Sequence, residues 1–567
     1  MQKKGYTLRQ ILVKTKPNRR KFIRPVGAEN RLSHWSSTVL TVFCLVGLTA
    51  ASGAPPAKSD VELKVGVVQR FGEEPTDEMT LAATTGDRLT VRFDAGDRQQ
   101  TLQASNVKLQ VTMQPLPDPV LEERLVLGSY RSFETAEYSA NQWKAKGIEV
   151  EVAQPERWQV WAKRDVYKTP LVRRWLLQSL KTQGNQAAFL DTEIVQQVPK
   201  TSLVVNGVKY SRDKMEITAA KNLIQVQKGK NAKNSFLYPG PLQLQPNAYG
   251  TYTLVNQVPL ETYLRGVVPH ELDAGAPYAA AEAQAIIART YALRNLRRFT
   301  VDGYELCADT HCQVYKGLTG TVPTTDQAIA ATKGKVLTYH NELVDALYSS
   351  TTGGVTAHFS DVWNGSDRPY LQVVVDSANS VWNLSQFPLA SEQNIRRFIN
   401  LKQGFNETGA NWFRWSRSST IVQITQDLKR YLQRTKTPFV PFNTIKQLRV
   451  VERSPSGRIL KLAVQTDTGV IEIHKDDVRS AFMAPRSTLF YLQPIYGADK
   501  SVKGYAFVGG GLGHAVGMSQ TGAFNLAKVG WSSQQILNFY YPGAQIQPLN
   551  ESITFWQERS QQTQPNS

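Results

Sequence analysis

One carboxylate, one histidine and one pair of cysteines stand out in this chain as groups that could do chemistry. Glu271 lies in YLRGVVPHELDAGAPY, between an apolar stretch and a turn signalled by Gly275 and Pro277. GVVPH reads as a strand, and a carboxyl at such a junction can sit half-buried against apolar walls. Desolvation there raises its pKa and makes it a usable proton donor. The competing reading is a helix-entry or surface carboxylate. Gln284 and Arg289 follow on the next helix, but a five-residue step puts them on well-separated faces, so at most one faces Glu271.

The second group is GYELCADTHCQVYKGL, where Cys307, His311 and Cys312 fall within six residues. Three soft or borderline ligands so close together suit a zinc ion, with Asp309, His358 or His514 as the fourth. A local disulfide and two free thiols are the alternatives. The third group is GGGLGHAVGMSQTGAFNLAKVGWSSQQILNFYYPG, which places His514 in a glycine loop, then Ser519 and Gln520, then the Tyr540–Tyr541 doublet. It has no lysine of the kind a phosphate loop carries after its glycines. His270 beside Glu271 would point to the opposite face of a strand. His340 and His474 lie in polar turns, and His34 belongs to the N-terminal segment.

Periodicity gives the elements that must hold these groups. Residues 60–115 alternate in VELKVGVVQ, LTVRF and LQASNVKLQVTM, which predicts strands, and Pro115, Pro117 and Pro119 mark a linker. Residues 120–192 run β-α-β-β-α-β. ERLVLGSY leads into a helix with Ala136, Ala140 and Trp143 on one face, stopped at Gly147. IEVEVA and RWQVWAKR follow, then a helix through KTPLVRRWLLQSLKTQ stopped at Gly184, then NQAAFLDTEIV. Strands return over 200–265, and an Ala-rich helix after Pro277 has Ala280, Ala283, Ile287 and Tyr291 on its buried face. Residues 334–380 and 445–495 read as strand-rich, 390–435 as mixed, and 551–567 as a disordered tail. The expected fold class is α+β.

A chain of 567 residues is too long for one core, and 41% hydrophobic with 20% charged residues describes a folded protein. Ten of its basic residues fall in positions 1–34 against the single acid Glu29, followed by an apolar run from Val39 to Ala51. Residues 1–58 therefore read as a basic cytoplasmic tail with a signal peptide or membrane anchor, the rest being exported to the cell envelope. About half of the net charge of +19 remains on the exported part, which favours polyanionic surroundings such as cell wall. No basic-aromatic motif points to nucleic acid. Cys44 lies in the apolar run, so Cys307 and Cys312 are the whole exported set and no disulfide scaffold is expected.

In order along the chain, YLRGVVPHEL, EAQAIIARTYAL, SSTTGGVTA, VWNGSDRPYLQVV, SPSGR and the GLGHAVGMSQTG segment resemble the SpoIID/LytB family of sporulation and cell-wall proteins. The likeness covers about 60–115 and 195–550. The 120–192 unit is similar to a SPOR domain, a small exported module that binds peptidoglycan strands lacking stem peptides; a generic ferredoxin-like insert that only packs is the alternative. The resemblance implies a SpoIID-like mixed α/β catalytic region over 200–550, with β-rich subdomains and an inserted SPOR-like domain.

It also implies an activity. Family members studied as enzymes are lytic transglycosylases cutting denuded glycan strands, with the glutamate at the position of Glu271 as acid/base. Some relatives instead enhance an amidase, so an amidase partner and a non-catalytic, glycan-binding role form the second expectation. Members with cysteines in the segment holding Cys307 and Cys312 bind zinc there, close to Gln313 and Tyr315. A positively charged, sugar-like transition state needs polar groups near the ring. The candidates are Ser350, Gly353, Gly354, His514, Ser519, Gln520, Tyr540 and Tyr541. Two positions depart from the family pattern: Glu282 stands where the helix usually carries lysine, and Ala515 where the loop usually carries glycine. The second matters if that position needs a positive φ.

Overall fold

The computed structural model describes residues 60–229, 235–273 and 275–556. The basic tail and apolar run of 1–58 lie outside the described residues, as does 557–567 of the polar tail. Among the described residues no helix is long and apolar enough to cross a membrane.

The alternating segments near the start form two layers, as their period predicts. Among the described residues, one sheet has seven strands. It runs from Leu306–Cys307 through Glu62–Phe71, Tyr252–Pro259, Leu242–Pro246, Met215–Ala219 and Leu89–Ala95 to Arg98–Ala104. Its inward residues, among them Leu63, Val65, Val91, Ile217 and Leu254, share a core with Leu81, Leu109, Leu203 and Val226 of an eight-stranded sheet. The helix Tyr278–Arg294 passes beside this core. Almost every residue from Ala280 to Arg294 is buried, so the helix is enclosed rather than amphipathic.

The expected β-α-β-β-α-β order is present: Asn106–Tyr130, Phe133–Ala145, Val150–Ala153, Trp158–Ala162, Pro170–Thr182 and Phe189–Val205. The expected linker is not. Pro115, Pro117 and Pro119 lie inside the 25-residue strand Asn106–Tyr130. That strand pairs with Phe189–Val205 from Lys108↔Val204 to Val126↔Phe189, with a register break between Pro115 and Val120. Proline removes a ladder donor, and the break falls where the prolines are. The inserted unit is therefore an outgrowth of the eight-stranded sheet. Its core also runs on into the rest of the protein: Phe133 meets Trp158 at 5.0 Å, and Trp158 meets Phe299 at 5.1 Å between ring centres.

A separate core forms around the helix Ile421–Arg434 and two three-stranded sheets between Trp415 and Gly509. Residues 551–556, placed in a disordered tail on composition, are packed instead. Ile553 is buried, Thr554 bridges Glu342, and Arg297 lies 4.3 Å over the Trp556 ring.

Candidate active site

Glu271 is the last residue of a helix, Leu260–Glu271, and not of a strand. Tertiary burial overrides the β-branched pair Val267–Val268, which packs in the core with Tyr263 and Leu264. Leu272 turns extended (φ −111°, ψ 154°), and Pro277 precedes the next helix. The Glu271 carboxyl accepts a hydrogen bond from the Val314 N–H at 2.8 Å and one from Gln520 Nε2 at 3.2 Å. The same amide of Gln520 donates to the Glu271 carbonyl at 2.8 Å, fixing the helix end. Burial pushes the Glu271 pKa up, and these donors, with Tyr348, only partly offset it. A carboxyl at the negative end of a helix is biased the same way.

Two distant motifs meet beside it. Tyr348–Ser349 pairs in parallel with Met518–Ser519, so the Ser350–Gly354 turn lies against the start of the helix Gln520–Lys528. A buried carboxylate, Glu407, joins them. It accepts from the N–H groups of Thr352 (2.5 Å), Gly353 (2.8 Å) and Gly354 (3.0 Å), and from the hydroxyls of Thr352 (3.0 Å) and Ser519 (2.5 Å). Gly353 sits at φ +75° with its Cα against the backbone of Gly510, where a side chain would collide. Asp376 lies beside Glu407, accepting from Tyr540 (2.7 Å) and Asn406 (2.9 Å), with its other oxygen 3.0 Å from the Thr352 hydroxyl. Burial and the adjacent Glu407 push its pKa well above the carboxylate range.

His514 Nδ1 accepts from the Val516 N–H at 3.0 Å, and the ring centre is 4.9 Å from that of Trp363. Burial, reinforced by Arg479, depresses its pKa to about 4, so it is a neutral imidazole at physiological pH. Ala515 takes φ +64° with its methyl fully buried, so the loop does hold a positive φ at the position that lacks glycine. Glu271, Tyr348, Ser349, Ser350, His514 and Gln520 line one cleft of about 590 Å³.

Residues 248–339, which include Glu271, match the family described as stage II sporulation protein, and 357–517 match a domain of unknown function, DUF8618. A stage II sporulation protein D of Bacillus subtilis is 28% identical over 325 residues, covering 54% of this chain and 80% of the relative. An amidase enhancer of Bacillus subtilis is 28% identical over 300 residues, covering 50% of this chain and 40% of the relative. Over residues 248–339 the chain is similar to the SpoIID family, and it spans less than half of the amidase enhancer's length.

Several of the candidate site residues do other work. Arg289 is fully buried and clamps Glu261 through Nε (2.8 Å) and a terminal nitrogen (2.7 Å), away from Glu271. Gln284 is also buried, and neither of its side-chain polar atoms has a hydrogen-bond partner among the described residues. Gln313 bridges Tyr263 and Tyr348 at 3.2 Å each, so it supports the tyrosine beside Glu271. Tyr315 is a core residue bonded to Asn256 at 2.8 Å. Gly353, Gly354 and Ser519 are sealed around Glu407. Tyr540 and Tyr541 are no sugar platform: both are fully buried, with Tyr541 donating to the Leu347 carbonyl at 2.5 Å.

Cys307 and Cys312 form a disulfide with Cα atoms 5.6 Å apart. A zinc ion on Cys307, His311 and Cys312 does not fit this arrangement, because both thiolates are consumed in the bond. Among the described residues no group of three or more His, Cys, Asp and Glu side chains is placed to hold a metal ion. Cys312 and His311 nevertheless line the Glu271 cleft, so the disulfide shapes one of its edges. Tyr348, Asp376 and Glu407 were missed by sequence reasoning. Tyr348 stands immediately before a quoted motif, but nothing local marks the two acids.

Proposed function

We propose that this protein is an exported peptidoglycan lytic transglycosylase that cuts glycan strands free of stem peptides, with Glu271 as the single acid/base. The observation that carries the reading is one half-buried carboxyl with a raised pKa, held by fixed donors and open to a cleft. Protonated Glu271 gives its proton to the glycosidic oxygen as the bond to the anomeric carbon of muramic acid breaks. The C6 hydroxyl of the same sugar then attacks that carbon, and the Glu271 carboxylate takes the hydroxyl proton. A 1,6-anhydro end and a new hydroxyl end result, and the carboxyl is restored. One carboxyl suffices, unlike the pair an ordinary glycoside hydrolase uses. The neutral His514 and the hydroxyls of Tyr348, Ser349 and Ser350 supply polar groups to the cleft without adding positive charge to an already cationic transition state.

The order of the inserted unit supports a SPOR-like, glycan-binding role, one built into the cleft rather than carried on a tether. A second reading, a glycan-binding enhancer of an amidase, is favoured by the name of the Bacillus subtilis relative. Incubating the protein (residues 59–567) with peptide-free strands, then measuring products by mass spectrometry, separates the two. The transglycosylase reading expects 1,6-anhydro-muramic ends. Intact strands, together with faster stem-peptide release when an amidase is added to whole peptidoglycan, would establish the enhancer instead.

A further inference from the structure

The Glu271 cleft is lined in part by the inserted unit, through Arg131, Gln154 and Arg157. Ion pairs hold that unit to two other parts of the protein. Glu134 pairs with Arg298 after the long buried helix, while Arg131 meets Asp476 at 2.6 Å and Arg157 meets Asp477 at 3.1 Å. Along this cleft two polar atoms, Nε of Arg157 and the hydroxyl of Ser349, are buried with no hydrogen-bond partner among the described residues. The Arg157 side chain is only 10% exposed. A guanidinium has five N–H donors in a planar fork, and a buried one left partly unpartnered is unfavourable until a ligand supplies an acceptor. Arg434 also lines the cleft, exposed, donating to the Ser480 carbonyl at 3.4 Å.

We propose that Arg157, with Arg434, forms an anion subsite in the cleft that takes the lactyl carboxylate of a peptide-free muramic acid. This rests on the glycan reading of the Glu271 site. In a strand with stem peptides that carboxyl is tied up in a neutral amide. Removing the peptide frees one carboxylate per disaccharide, the planar anion an arginine fork binds in two places. The inserted unit thereby supplies the cleft with a chemical test for strands that have lost their peptides.

The test compares two probes on the full-length protein by calorimetry. One is a peptide-free strand with free lactyl carboxylates, and the other is the same strand with those groups converted to carboxamides. Wild type is expected to bind the carboxylate form about tenfold more tightly. Arg157→Gln is expected to bind both alike, at the carboxamide affinity of wild type. Asp477→Asn breaks the same docking ion pair but keeps the guanidinium, so it should keep the preference; loss of preference there would reduce Arg157 to a docking residue and overturn the subsite. Equal binding of both probes by wild type, or a preference that survives in Arg157→Gln, would also overturn it while leaving the glycan reading standing. Binding of neither probe by wild type would remove both.

Discussion

Glu271 is half-buried and Glu407 fully buried, and the two glutamates differ in what surrounds their oxygens. Glu407 accepts five hydrogen bonds, three from consecutive backbone N–H groups and two from hydroxyls, and is fully buried. Glu271 has a backbone donor, the Gln520 amide and Tyr348, and it opens on the cleft. Burial alone does not make a catalyst. A carboxylate saturated with donors anchors loops, whereas one with few donors and a path to substrate can exchange a proton.

The sharpest break of this contrast is Glu407→Ala. It leaves three N–H groups and two hydroxyls without their acceptor, and should cost about 3–5 kcal/mol in urea unfolding. A loss under about 1 kcal/mol would mean the turn is held by other contacts.

His514 gives the next effect. Its pKa is about 4 in the folded protein against an ordinary 6.5, so the unfolded chain binds the proton more readily. Its contribution is present above pH 6.5 and is lost as pH falls toward 4. Relative to His514→Asn, wild type should lose roughly 1–3 kcal/mol across that window, read from melts at stepped pH.

Asp376→Asn should be the mildest change, within about 1 kcal/mol at low pH. An amide oxygen can still accept from Tyr540 and Asn406 while its NH₂ donates to Glu407 and Thr352. Because the folded state favours protonated Asp376, its contribution is present at low pH and is lost as pH rises past the ordinary carboxyl range. The asparagine variant should show a flatter stability curve on that side.

The half-buried setting of Glu271 and the upward direction of its pKa were legible in the sequence, because the turn residues after it are local signals. The same local evidence misread the helix before it: Val267 and Val268 suit a strand, and only their burial with Tyr263 and Leu264 makes them helical. The tyrosine doublet shows a second limit. Its partners, Asp376 and the Leu347 carbonyl, are 164 and 194 residues away, and no periodicity announces such contacts. The inserted unit was readable in its element order but not in its placement. Its ion pairs join residues 160 and 320 positions apart, as in Arg297 with Glu137 and Arg157 with Asp477. The cysteine pair admitted metal, bond or free thiols, and geometry selected the bond.

The most direct test of the account is mass spectrometry of peptide-free strands treated with wild type and with Glu271→Gln, alongside melting curves for both. The account predicts 1,6-anhydro-muramic ends from wild type, at least about 100-fold fewer from a folded Glu271→Gln protein, and intact strands in its place. Equal yields from the two proteins would contradict it.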